Sequence, residues 1–180
     1  MRFLTTALLA LIASTTVAVA LPEKGKDEKH GDDDHCLKDF EVSELAVKWL
    51  LVWSTDPSPK KSDLQKILTP NIASYDEAFG GPTLSLDELW DVITAPGPYT
   101  TGDIKQFPLF TFHSCDQIGV RWGYTAVTTG FESTVPVGTK VELKGIDILH
   151  VDLKTRKIFN ATSSADWINL ARQLGQTVLI

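Results

Sequence analysis

Between Lys140 and Asp152 apolar and polar side chains alternate with a period of two, as expected of a strand with one buried face. Val141, Leu143, Gly145, Asp147, Leu149 and Val151 share one side; Glu142, Lys144, Ile146, Ile148, His150 and Asp152 share the other. Further β-rich runs cover residues 107–115, 118–129 and 157–164, and the short connections between consecutive runs predict antiparallel pairing. Upstream the period lengthens. Phe40, Val42, Leu45, Ala46, Trp49, Leu50, Val52 and Trp53 recur at three- and four-residue spacing, predicting a helix that ends at residues 54–57. Shorter helices are expected over 62–68, stopped by Pro70, over 86–93 behind the capping box Ser85-Leu86-Asp87-Glu88, and over 166–174 before Gly175. Residues 71–76 read as a short strand. Helices first and strands after describe an α+β domain, with the helices against one face of a curved antiparallel sheet.

The ends of the chain change that picture only outside the domain. Residues 1–20 begin with Arg2, run apolar and close on Ala18-Val19-Ala20, the form of a secretory signal peptide. Residues 21–35 are almost devoid of apolar side chains and are expected to be a disordered, mostly acidic arm; its His30, Asp32, Asp33, Asp34 and His35 read as a solvated tail rather than a metal site. A single domain is then expected over 36–180. Cys36 and Cys115 suit an oxidising compartment and predict a disulfide, which over so long a loop stabilises by roughly 4 kcal/mol. Asn160-Ala161-Thr162 is a glycosylation sequon. No second apolar run approaches membrane length, and a net charge of −6 argues against nucleic acid or an anionic membrane as partner.

Asp147 is the polar residue in an otherwise apolar row, and a carboxyl there must be paired, hydrogen-bonded, protonated or facing a cavity. It is therefore the first catalytic candidate, with a structural Asp bonded to a neighbouring strand as the competing reading. Strand parity puts Trp122 and Tyr124 inward as well, and His113 falls on a strand whose inner side the pattern leaves open. A Tyr or His beside such a carboxyl polarises a carbonyl or protonates a leaving group; the plain alternative for Tyr124 is a core residue bonded to backbone. Trp49 and Trp53 lie along one helix face, where they pack the core or line a cavity.

The C-terminal third carries a resemblance. Lys144-Gly145-Ile146-Asp147-Ile148-Leu149-His150-Val151-Asp152, Arg156-Lys157-Ile158, Ala165-Asp166-Trp167 and Gln173-Leu174-Gly175 are similar to the closing strands and terminal helix of SnoaL-like polyketide cyclases. Those belong to the nuclear-transport-factor-2-like cone fold, shared with ketosteroid isomerases, and the leader suggests an exported, fungal-type member. The resemblance implies a pocket for a small apolar ligand, acid–base chemistry at Asp147, His113 and Tyr124, and no metal or organic cofactor. Trp49, Trp53, Trp122, Phe159 and Ser163 would line the pocket. Where relatives carry charged or aromatic residues after the position of Ile158, this chain has Asn160-Ala161-Thr162-Ser163; an outward, glycosylated Asn160 would turn Phe159, Ala161 and Ser163 inward.

Two functions follow. One is a secreted, cofactor-independent lyase, isomerase or cyclase of a small apolar, polyketide-like secondary metabolite; the other is a non-catalytic secreted protein that binds a small ligand or a partner. Dimerisation through the outer sheet face, with Ile146 and Ile148, is a further expectation. The chain has no G-x-S-x-G, phosphate-binding glycine loop, paired metal-ligand helix or C-x-x-C.

Overall fold

A computed structural model describes residues 35–78 and 81–178. The expected leader and all but the last residue of the acidic arm lie outside the described residues. Helix α1 spans Asp39–Leu51, α2 Lys61–Ile67, α3 Leu86–Ile93 and α4 Trp167–Gln173; strands β1 to β5 span Leu68–Asp76, Thr101–His113, Gln117–Thr128, Lys140–Asp152 and Lys157–Ala165.

The sheet has the order β1-β5-β4-β3-β2. Strands β2 to β5 form the expected antiparallel meander, and β1 adds a fifth strand parallel to β5, so the sheet is mixed. Pro70 stops α2 as expected, but the chain passes straight into β1, where a residue without an N–H is tolerated because β1 is an edge. The other edge, β2, begins at Thr101, ahead of the apolar run that marks it in the sequence.

Helix α1 lays Val42, Leu45, Ala46, Trp49 and Leu50 into the core, against inward residues such as Val120, Leu149, Val151 and Ile158. The alternation along β4 is as its sequence predicts: Val141, Leu143, Gly145, Asp147, Leu149 and Val151 are buried and their neighbours are not. Cys36 and Cys115, 79 residues apart, are bonded, and Leu37 N–H donates to the Cys115 carbonyl at 2.8 Å. These contacts tie the entry of α1 to the end of β2. Ser85 caps α3 by accepting the Glu88 N–H at 3.1 Å, while the Glu88 carboxylate accepts from Leu84.

One inward assignment is corrected. Ile158 stands opposite Val151 and Asn160 opposite His150, so Phe159 is the extra residue of a β-bulge. The bulge resets parity: Ile158 and Ala161 both point into the core, whereas Phe159 is 41% exposed, with its ring 6.0 Å from that of His150 on the outer face. Ile146 and Ile148 are half-buried on that face.

Candidate active site

The site is built around Asp147 by four elements. Trp122 on β3 lies directly opposite Gly145 on β4, and its ring occupies the space where a Gly145 side chain would project. Lying across the strand, the indole donates its Nε1–H to Asp147 Oδ1 at 2.7 Å. From α1, Trp49 donates its Nε1–H to Oδ2 at 2.6 Å. Ser163, opposite Asp147 on β5, adds a side-chain hydrogen bond. Asp147 is only 2% exposed. Burial pushes its carboxyl above the usual carboxylate range; the hydrogen bonds from Trp122, Trp49 and Ser163 hold back part of that rise, and the nearby charge of Asp76 adds to it.

In front of the carboxyl is a cavity of about 380 Å³. Trp53, Trp122, Trp167, Leu89 and Val92 supply its apolar walls, and Asp147, Asp76, Ser163, Gln106, Ser74 and Thr83 its polar groups. Trp53 is fixed edge-on against Trp49, with ring centroids 5.8 Å apart and planes at 79°. Trp167 reaches the cavity from the start of α4, which Asp166 caps by accepting the Asn169 N–H at 3.0 Å. A second groove, of about 680 Å³, shares Trp53 and Val92 with the first.

The sequence-derived candidates divide. Asp147, Trp122, Trp53 and Ser163 meet at the cavity, with Trp49 behind them holding the carboxylate. His113 and Tyr124 are not among the lining residues. The His113 ring bonds Asp39 at 2.9 Å at the exposed start of α1, a contact that raises its pKa. The Tyr124 hydroxyl bonds that of Thr101 at 2.7 Å, and burial raises its pKa. Phe159 faces outward, away from the core.

Asp76 is the charged lining residue that sequence reasoning missed, and Trp167, Gln106, Ser74 and Thr83 are not singled out by it either. Asp76 ends β1 opposite Ser163, and its Oδ1 accepts the Ala78 N–H at 2.9 Å. A carboxylate closing a short polar strand carries no signal by itself; its meaning appears only once β1 pairs with β5. Among the described residues no group of three His, Cys, Asp or Glu side chains could hold a metal ion. Chemically, the arrangement offers a buried carboxyl whose raised pKa suits proton exchange inside a largely apolar space.

No curated protein matches the chain significantly. Residues 98–177 match the sequence profile of the NTF2-like domain. Among solved structures, TsrD from Streptomyces laurentii superposes with a TM-score of 0.60 at 17% identity, covering 78% of this chain and 99% of its own. A candidate SnoaL-like polyketide cyclase from Shewanella denitrificans gives a TM-score of 0.62 at 13% identity, covering 77% and 98%. A protein of ketosteroid isomerase-like fold from Catenulispora acidiphila, in complex with trimethylamine, gives 0.58 at 12%, covering 74% and 94%. With its helices packed on a curved five-stranded sheet, the described chain has the nuclear-transport-factor-2-like fold, and residues 98–177 carry the sequence pattern of that domain.

Proposed function

We propose that the protein is a cofactor-independent lyase, isomerase or cyclase that acts by acid–base catalysis on a small, largely apolar molecule, with Asp147 exchanging the proton. The observation that carries this reading is a 2% exposed carboxyl, raised in pKa by burial, in the wall of a cavity of about 380 Å³. The fold it shares with a candidate polyketide cyclase supports the reaction class, and the trimethylamine complex of another neighbour supports a small ligand. The test is turnover of an intermediate that accumulates when the gene is deleted. Purified protein should consume it, and Asp147→Asn should reduce the rate at least about 100-fold; full activity in that variant overturns the assignment.

A second reading, a carrier without chemistry, is favoured by one observation. Both Asp147 oxygens already accept indole N–H bonds, so the carboxylate also serves to orient Trp49 and Trp122. A carrier would bind the compound and return it unchanged.

Export and modification belong to the same proposal. The signal-like residues 1–20 and the Cys36–Cys115 disulfide suit a secreted protein, and among the described residues no helix is long and apolar enough to cross a membrane. Asn160 pairs with outward His150, which suits a glycan on the outer face. Exposed Phe107, Phe110 and Phe112 on β2 suit self-association there, which a monomer mass in light scattering would remove.

A further inference from the structure

Resting on the reading of this cavity as the ligand site, we infer that its ligand is an organic cation, an apolar molecule bearing a protonated amine or quaternary ammonium group. Among the described residues, the charged side chains that line the cavity are Asp147 and Asp76, with no Lys, Arg or His beside them. The sheet register brings these two carboxyls to one side of the space. Asp147 stands opposite Ser163, and Ser163 opposite Asp76, so the two acidic positions lie on β4 and β1, one strand to either side of β5 and about 10 Å apart at the backbone.

The rest of the wall has complementary chemistry. Three indoles, Trp53, Trp122 and Trp167, border the same cavity. An indole face attracts a cation through its quadrupole, and a carboxylate completes the neutralisation; aromatic and acidic groups around one small space form the usual receptor for alkylammonium ions. An anionic ligand would lie beside the carboxyls of Asp76 and Asp147 with no cationic side chain among the described lining residues to meet it. A neutral one would remove water from those carboxyls without offering a counter-charge.

The two carboxyls divide the task. Asp147 is committed through its oxygens to Trp49 and Trp122, so it fixes the aromatic wall. Asp76 is half-buried and held by the Ala78 N–H at 2.9 Å, and is the group positioned to meet the ammonium.

The experiment compares three molecules of nearly equal shape on the full chain: choline, 3,3-dimethylbutan-1-ol and 3,3-dimethylbutanoate. Calorimetric titration, with indole fluorescence as the local reporter, should rank them cation, neutral, anion, with choline about ten-fold or more tighter than the alcohol. Asp76→Asn should cut that preference, read as the ratio of the choline and alcohol affinities, by about ten-fold. If the alcohol or the butanoate binds the wild-type chain as tightly as choline, the inference is overturned while the cavity remains a ligand site. Absence of binding by all three overturns it too, and failure of a wider neutral panel would then remove the cavity reading as well. The wild-type ranking decides the matter even if the variant does not fold.

Discussion

Trp122 and Gly145 face each other across the β3–β4 ladder, and the indole fills the space a Gly145 side chain would need. The glycine is thus what lets the indole lie flat enough to reach Asp147, two residues further along β4. Gly145→Ala should displace the ring, cost about 1–3 kcal/mol as an overpacked core position, and weaken ligand binding. Urea unfolding and the fluorescence titration check both effects; unchanged stability and binding would show that the ring has another resting place.

The two indole N–H groups that meet Asp147 are predicted to act together. Trp49→Phe or Trp122→Phe removes one donor from a buried carboxyl, and each should cost about 1.5–3 kcal/mol near neutral pH. Both residues share one acceptor, so the double variant should depart from the sum of the singles. Strict additivity in a double-mutant cycle would mean that the bonds do not communicate through Asp147.

How much of this site the sequence reveals depends on how local each relationship is. Strand β4 has one buried face, so its period of two reads directly and marks Asp147 as the polar exception. The helix spacing places Trp49 inward for the same reason. Pairing of β1 with β5 joins segments far apart in the chain with no turn between them, and parallel pairing of this kind leaves no local pattern. That hides Asp76, whose partner is Ser163. Phe159 fails differently: alternation assumes an uninterrupted ladder, and a single extra residue turns it outward while restoring Ala161 and Ser163 to the inner face. His113 and Tyr124 are both polar residues on strands, yet each is bound to a neighbour that strand parity cannot anticipate, Asp39 and Thr101.

The Cys36–Cys115 bridge closes a loop that contains α1, α2, α3 and the two edge strands β1 and β2, and its main effect is to restrict the unfolded chain. Cys36→Ser with Cys115→Ser should lower stability by roughly 4 kcal/mol on the chain-entropy account. Comparing oxidised and reduced wild-type protein by thermal unfolding gives the same quantity without a substitution. A change below about 1 kcal/mol in both comparisons would indicate that the Leu37–Cys115 backbone bond and the α1 packing hold that corner unaided.

Protonation of Asp147 makes the last prediction, and its sign follows from the direction of the shift. The folded carboxyl has a pKa raised above its ordinary 3.8 by burial, so between those two values the folded chain holds a proton that the unfolded chain has released. Its stabilising contribution is therefore fully present below pH 3.8 and is lost as pH rises through the folded value. The slope from this one group reaches at most about 1.4 kcal/mol per pH unit. His113 contributes with the same sign over a window that begins at its own ordinary value. Its bond to Asp39 raises it above the ordinary 6.5, so its smaller, solvent-screened contribution is present below that pH and fades as pH passes the folded value. Asp147→Asn separates the two: the part of the decline that begins at 3.8 should vanish and the histidine part should persist. Urea unfolding of both proteins across the acidic to neutral range measures the difference. Parallel curves would mean that Asp147 keeps an ordinary pKa, and the buried carboxyl would then be an anion held by its three donors, which would move the acid–base task away from it.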